Sequence, residues 1–220
     1  MNPRFIQLPN SQEAGMTSHQ LTSKNGTTGK ANSSRHEEVL DAGLRVFASK
    51  GYRGATIEDI AKELGFTSAA LYYYIKSKQD LLLQTVYRPI DSLIESANQI
   101  DSLPGSSAEK LSILIENHIL LTLERRDWFT VMLRDQSYLP ESNIIELRNR
   151  DKHYRQIIVK VITDGNKSGE FDVKNPGVSS MVIIGALNWT LQWVQPDGVL
   201  NPKAVAKEIA GTLLNGIVKK

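Results

Sequence analysis

The chain contains no cysteine. Disulfides, thiolate metal sites and a cysteine nucleophile are therefore excluded. Long apolar runs are also missing: the longest uncharged one, over 181–187, falls far short of the roughly 20 residues that cross a bilayer. The N-terminus lacks the apolar centre of a secretion signal, so a cytoplasmic protein is expected. Histidine is scarce, with four residues at 19, 36, 118 and 153, and there is no His-Glu-x-x-His and no Glu-x-x-His pair for a metal. The run Gly165-Asn166-Lys167-Ser168-Gly169 imitates a phosphate loop only superficially, because the lysine spacing is wrong and no strand precedes it. It reads instead as the end of a helix. Catalytic constellations, metals and cofactors are thus not expected, which leaves binding as the task and an enzyme or an adaptor as weaker alternatives. Neither sign of charge dominates, since 26 basic against 24 acidic residues give a formal net charge of +2. Any nucleic-acid footprint has to be local.

What the chain does have is a spacing. At 220 residues and 40% hydrophobic content it can build a small domain and one of ordinary size. Over 56–83 Thr56 suits an N-cap, and Ile57, Ile60, Ala61 and Leu64 form one apolar stripe of a two-turn helix. Gly65 stops it, Thr67 caps again, and Leu71, Tyr74 and Ile75 give a second helix its inner face. Helix, tight turn, helix is the geometry that lays a reading helix in the DNA major groove. Between 66 and 78 the charged residues are Lys76 and Lys78, with no acid.

The order Thr56, Ile57, Ile60, Ala61, Gly65, Thr67, Leu71, Tyr72, Tyr74, then Lys76-Ser77-Lys78 and Asp80-Leu81-Leu82, resembles the DNA-binding domain of TetR-family repressors. The likeness covers about 35–88, including a preceding helix over 37–50 with Phe47 and Tyr52 as core filler. Ile75 departs from the phenylalanine usual there. The resemblance implies phosphate contacts from Thr56, Thr67, Tyr72 and Lys78, with Lys76 also in the DNA-binding stretch, while Ser68, Ala69, Ala70 and Tyr73 occupy the base-reading positions. Ala69 and Ala70 carry nothing that reports a base, so readout leans on Ser68 and Tyr73. The fold implied is all-α: a tail over 1–34, a three-helix helix-turn-helix domain over 35–80, and a larger helical effector-binding and dimerisation domain over 81–220.

The tail is polar and aperiodic, and is expected to be disordered. A helix is expected over 78–100 with Pro89 as a joint. Another follows over 107–125, then a short aromatic helix capped by Asp127, then a long helix opened by Pro140 and ending at Asp164. Two more are expected over 173–195 and 202–218. The first of this last pair is apolar nearly all round and needs cover on more than one side. A second copy supplies it, with Met181, Ile184, Gly185, Asn188, Trp189 and Trp193 facing the partner beside Ile209 and Leu213 of the final helix. A homodimer presents two reading helices, so a near-palindromic operator is expected.

For an effector, Val86, Ile90, Leu114, His118, Leu121, Trp128, Met132, Tyr154 and Ile158 offer an apolar lining. Arg125, Arg126, Arg148, Arg150, Lys152 and Arg155 offer cations. The segment Trp193-Val194-Gln195-Pro196-Asp197-Gly198 resembles a corner in TetR-family regulators of fatty-acid and sterol breakdown, with Gln195 where that group often has arginine. That resemblance implies an acyl-coenzyme A thioester as effector, releasing the protein from DNA. A smaller aromatic or amphipathic molecule is the alternative.

Overall fold

The computed structural model describes residues 26–195 and 198–217, with side chains from residue 34 onward. Among the described residues every regular element is a helix: α1 Gly26–Gly54, α2 Ile57–Glu63, α3 Ser68–Leu71, α4 Lys78–Asp101, α5 Ser107–Glu124, α6 Arg126–Asp135, a 3-10 turn Gln136–Tyr138, α7 Glu141–Ser168, α8 Pro176–Trp193 and α9 Pro202–Asn215. Helix α5 is the central post, packed against α4, α7, α8 and α9, while α1 lies on α4 and α6.

Several boundaries differ from the expectation, each for a local reason. The expected tail over 1–34 falls mostly outside the described residues, but α1 already runs from Gly26, so 26–34 is helical rather than irregular. Its backbone leaves the helical region at Gly51 (φ 72°), where the chain turns toward α2. Asp127 does not cap α6; it lies in the first turn, and Arg125 holds the cap position without a side-chain bond. Pro140 precedes α7, which passes through Gly165 and stops at Gly169 (φ 78°). Gly165 serves closeness rather than termination. A β-carbon there would sit 2.2 Å from the Phe171 ring, so only glycine lets the ring pack on the helix. Helix α4 continues through Pro89, which is buried, so the backbone shows no break at the expected joint. The turn before α9 is capped as its sequence suggests, with the Lys203 and Ala204 N–H groups donating to Asn201 Oδ1. Pro196 and Asp197 of the expected corner lie outside the described residues.

Candidate nucleic-acid interface and effector site

The helix-turn-helix is built from short-range bonds that the sequence spells out. The Asp59 N–H donates to Thr56 Oγ1 at 3.0 Å and the Thr56 N–H to Asp59 Oδ2 at 3.1 Å, a reciprocal cap that fixes the start of α2. Gly65 takes φ 67°, and the Phe66 N–H reaches back to the Ala61 carbonyl at 2.8 Å. Thr67 then caps α3 by accepting from the Ala70 N–H. Helix α3 is only four residues long, but the bonds continue as a tight turn from Tyr72 to Ile75. Leu71 and Ile75 are fully buried on its inner side with Ile60 and Ala61. Turned to solvent are Ala69, Ala70, Tyr72 and Tyr73, the last 75% exposed, with Lys76 alongside and Ser68 half-buried.

Lys78 departs from a plain phosphate-contact role. Its ammonium donates to the Tyr52 and Ala55 carbonyls, both at 2.9 Å, and rests 4.5 Å from the centre of the Tyr52 ring. Two of its three N–H donors thus fasten the end of α1 to the start of α4. Thr56 and Thr67 likewise have their hydroxyls engaged as caps, while remaining exposed.

Two clamps hold this domain to the larger one. Arg88 of α4 pairs with Glu37 and Asp41 of α1. Arg134 of α6 donates to the Phe47 and Ala48 carbonyls and pairs with the buried carboxylate of Asp135, which supports its guanidinium. Tyr138 stacks on Tyr52 at 5.2 Å. Neither Arg134 nor Asp135 stands out in sequence, because an adjacent Arg-Asp pair carries no periodicity and the carbonyls it meets lie nearly ninety positions away.

The residues expected to line an effector pocket divide. Val86, Ile90, Leu114, His118, Leu121, Met132, Tyr154 and Ile158 are buried together in the core. Trp128 is not among them; half-buried, it stands at the domain junction with the Arg88 and Arg125 guanidinium groups 5.7 and 5.0 Å from its ring. Arg150 also lies elsewhere, since it pairs with Asp91 and Glu146 and covers the Tyr87 ring, tying α7 to α4. Arg126 is spent on the Leu191 and Val194 carbonyls at the end of α8. The remaining cations, Arg148, Lys152 and Arg155, line a cleft of about 440 Å³ between α7 and α8, with Asp151, Met181, Ile184, Gly185 and Asn188.

At the inner wall of that cleft a polar chain enters the core. Asn188 Oδ1 lies 3.2 Å from His118 Nε2, and His118 Nδ1 lies 2.8 Å from the Tyr154 hydroxyl. An Nε2–H tautomer satisfies both, donating to Asn188 and accepting from Tyr154. Burial lowers the His118 pKa to about 4, against a smaller raising effect of the Asn188 bond, so the ring is neutral near pH 7. Burial also pushes the Tyr154 phenol well above its usual range.

On α8, Ser180, Ile183, Leu187, Thr190 and Leu191 face the core. The opposite side leaves Met181 and Trp189 exposed by 51% and 65%, with Trp193, Val178 and Val182 alongside. Gly185 is exposed there, and Ile184, Asn188, Ile209 and Leu213 are half-buried.

Comparison with known proteins agrees with this geometry. Residues 104–217 match the tetracyclin repressor-like C-terminal domain. The fatty acid metabolism regulator protein of Bacillus subtilis is 27% identical over 195 residues, covering 84% of this chain and 97% of that protein. The transcriptional repressor KstR2 of Mycolicibacterium smegmatis is also 27% identical, over 84% of this chain and 92% of that one. Among solved structures, KstR2 of Mycobacterium tuberculosis superposes with a TM-score of 0.78 at 22% identity, over 84% of this chain and 96% of that one. AibR, solved in complex with isovaleryl coenzyme A and operator DNA, gives 0.75 at 22% identity, over 82% and 98%. With residues 39–85 matching the bacterial regulatory proteins of the tetR family as well, the chain belongs to the TetR family of helix-turn-helix transcriptional regulators and is not an enzyme.

Proposed function

We propose that the protein is a homodimeric repressor whose operator grip is released by an amphipathic acyl thioester of coenzyme A. The observation that carries this reading is the cleft between α7 and α8, where Arg148, Lys152 and Arg155 stand around an opening whose wall residue Asn188 is bonded to His118 of the core. Phosphates of a coenzyme A head suit the cations, and an acyl body suits Leu114, Leu121, Met132 and Ile158 beyond them. A fatty acid regulator and an isovaleryl coenzyme A complex among similar proteins point the same way.

The dimer and the effector share a wall. Met181, Ile184, Gly185 and Asn188 line the cleft and also belong to the face of α8 assigned to the second copy. An occupant of the cleft therefore acts on the subunit interface as well as on the core. Filling the core displaces α4 and α6, which carry the helix-turn-helix through Arg88 and Arg134. Two reading helices must reach successive major grooves ~34 to 36 Å apart, so a changed separation weakens the match to a near-palindromic operator. A shift from 1:99 to 99:1 between binding and released forms needs ~5.5 kcal/mol of differential affinity.

Fluorescence anisotropy with DNA from upstream of the protein's own gene tests this, adding acyl-coenzyme A esters, free coenzyme A and free fatty acids in turn. Release by an ester and not by its two halves supports the reading. Release by the free acid instead favours an amphipathic anion without coenzyme A, and an unchanged operator affinity under every ester refutes the thioester.

A further inference from the structure

The core beside His118 contains one hydroxyl without a partner. Thr122 is fully buried on α5, one turn beyond His118 on the same side of the helix, and its Oγ1 makes no hydrogen bond among the described residues. Threonine in a helix ordinarily turns its hydroxyl onto a carbonyl three or four residues back. Thr85, Thr163 and Thr190 each do so, at 2.8, 2.8 and 2.6 Å. Thr122 does not. Valine has nearly the same shape and would fill an apolar site without the cost of a stranded hydroxyl. Asn188 offers a second unused group: its Oδ1 is engaged by His118, while its amide nitrogen makes no hydrogen bond among the described residues. Asn188 also lines the cationic cleft, so the polar chain Asn188–His118–Tyr154 joins the surface opening to the part of the core that holds Thr122.

Building on the effector site described above, we propose that Thr122 and Asn188 read an oxygen function on the apolar body of the effector, so that the protein answers to oxygenated acyl chains in preference to plain alkyl ones. A hydroxyl or keto oxygen accepts from the Thr122 O–H and the Asn188 amide. Thr122 is fully buried, where such a bond is not in competition with bulk water, and Asn188 stands half-buried at the mouth of the cleft. His118 fixes the amide by holding its oxygen, so Asn188 presents donors rather than an acceptor. A plain alkyl chain leaves the Thr122 hydroxyl stranded when bound, and that is the source of discrimination.

The test is calorimetric binding of octanoyl-coenzyme A against its 3-hydroxy, 3-oxo and 8-hydroxy counterparts, to the wild type and to Thr122→Val and Thr122→Ser. At least one oxygenated ester is expected to bind the wild type roughly tenfold more tightly than octanoyl-coenzyme A. Thr122→Val erases that preference without weakening octanoyl-coenzyme A, and Thr122→Ser restores it. In the absence of any ester, Thr122→Val melts no lower than the wild type, because it removes an unpaired group. Equal binding of plain and oxygenated esters overturns this assignment while leaving the thioester reading intact. A preference that survives in Thr122→Val, or a lowered melting temperature of that variant, overturns it too. If no ester binds at all, the thioester reading and this assignment fall together.

Discussion

Two surfaces of this molecule expose aromatic side chains, and they differ in what surrounds them. On the reading turn, Tyr72 and Tyr73 stand beside Lys76 just past a helix of only four residues, held in place by two threonine caps. On α8, Trp189 and Trp193 stand beside Val178, Met181 and Val182 on an eighteen-residue helix with no charged side chain. The first surface matches a polyanion: hydroxyls, backbone amides at helix starts and a cation around flat rings. The second matches another apolar surface. Exposure of an aromatic ring does not reveal its partner, but the chemistry of its neighbours does.

The comparison breaks most sharply at Trp189. Trp189→Glu places a charge in the centre of the apolar face and is expected to weaken self-association by about 3 kcal/mol or more, measured by sedimentation equilibrium. Operator binding then falls with it, while the monomer's helical circular dichroism stays unchanged. A variant that remains dimeric would show that α8 is covered some other way.

Beneath the cleft between α7 and α8, His118 makes the larger domain sensitive to acid. Its pKa in the folded chain is about 4, below the 6.5 of an unperturbed ring. Its contribution is therefore fully present above about pH 6.5 and is lost as pH falls toward 4, amounting to on the order of 3 kcal/mol. Urea denaturation from pH 7 to pH 4 is expected to show that loss, and His118→Gln to flatten it. Equal slopes in both proteins would mean that the ring is not buried neutral.

A smaller effect separates fastening from reading in the first surface. Lys78→Met removes two charge-assisted bonds to the Tyr52 and Ala55 carbonyls and should cost about 2 kcal/mol of stability. If Lys78 instead acts only on phosphate, the melting temperature holds and the salt dependence of DNA binding flattens by ~0.9 on a log-log plot. Smallest is Tyr73→Ala, expected to cost operator affinity about 1 kcal/mol with dimerisation and melting unchanged. A change in dimerisation would mean that the two surfaces are not independent.

The helix-turn-helix was legible because its information is local. Thr56, Gly65 and Thr67 each act within a few residues of themselves, so caps and turn follow from order alone. The apolar excess of α8 was legible for a related reason: a helix without a polar side has to be covered, whatever the rest of the chain does. The proposed effector site was legible only as a set of residue types. Six cations looked equivalent in sequence, and three turned out to serve elsewhere: Arg126 as a cap on α8, Arg150 as a tie between α7 and α4, and Arg125 beside Trp128. Gly165 looked like a stop signal because its reason for being glycine, the ring of Phe171, is folded back upon it.

The sequence by itself determined the all-helical class, the position of the reading turn and the apolar excess of α8. Those features depend on periodicity and on contacts made within one or two turns, and backbone hydrogen bonding of neighbours enforces them wherever the chain goes. Tertiary structure alone decided which arginines serve as ties between helices, how Arg134 holds α1, and that His118, Tyr154 and Asn188 meet in one chain. Those groups lie 36 to 87 positions apart. Nothing in the order of residues specifies such a meeting until helix packing brings the faces together, and burial then makes each unpaired charge or hydroxyl costly enough to matter.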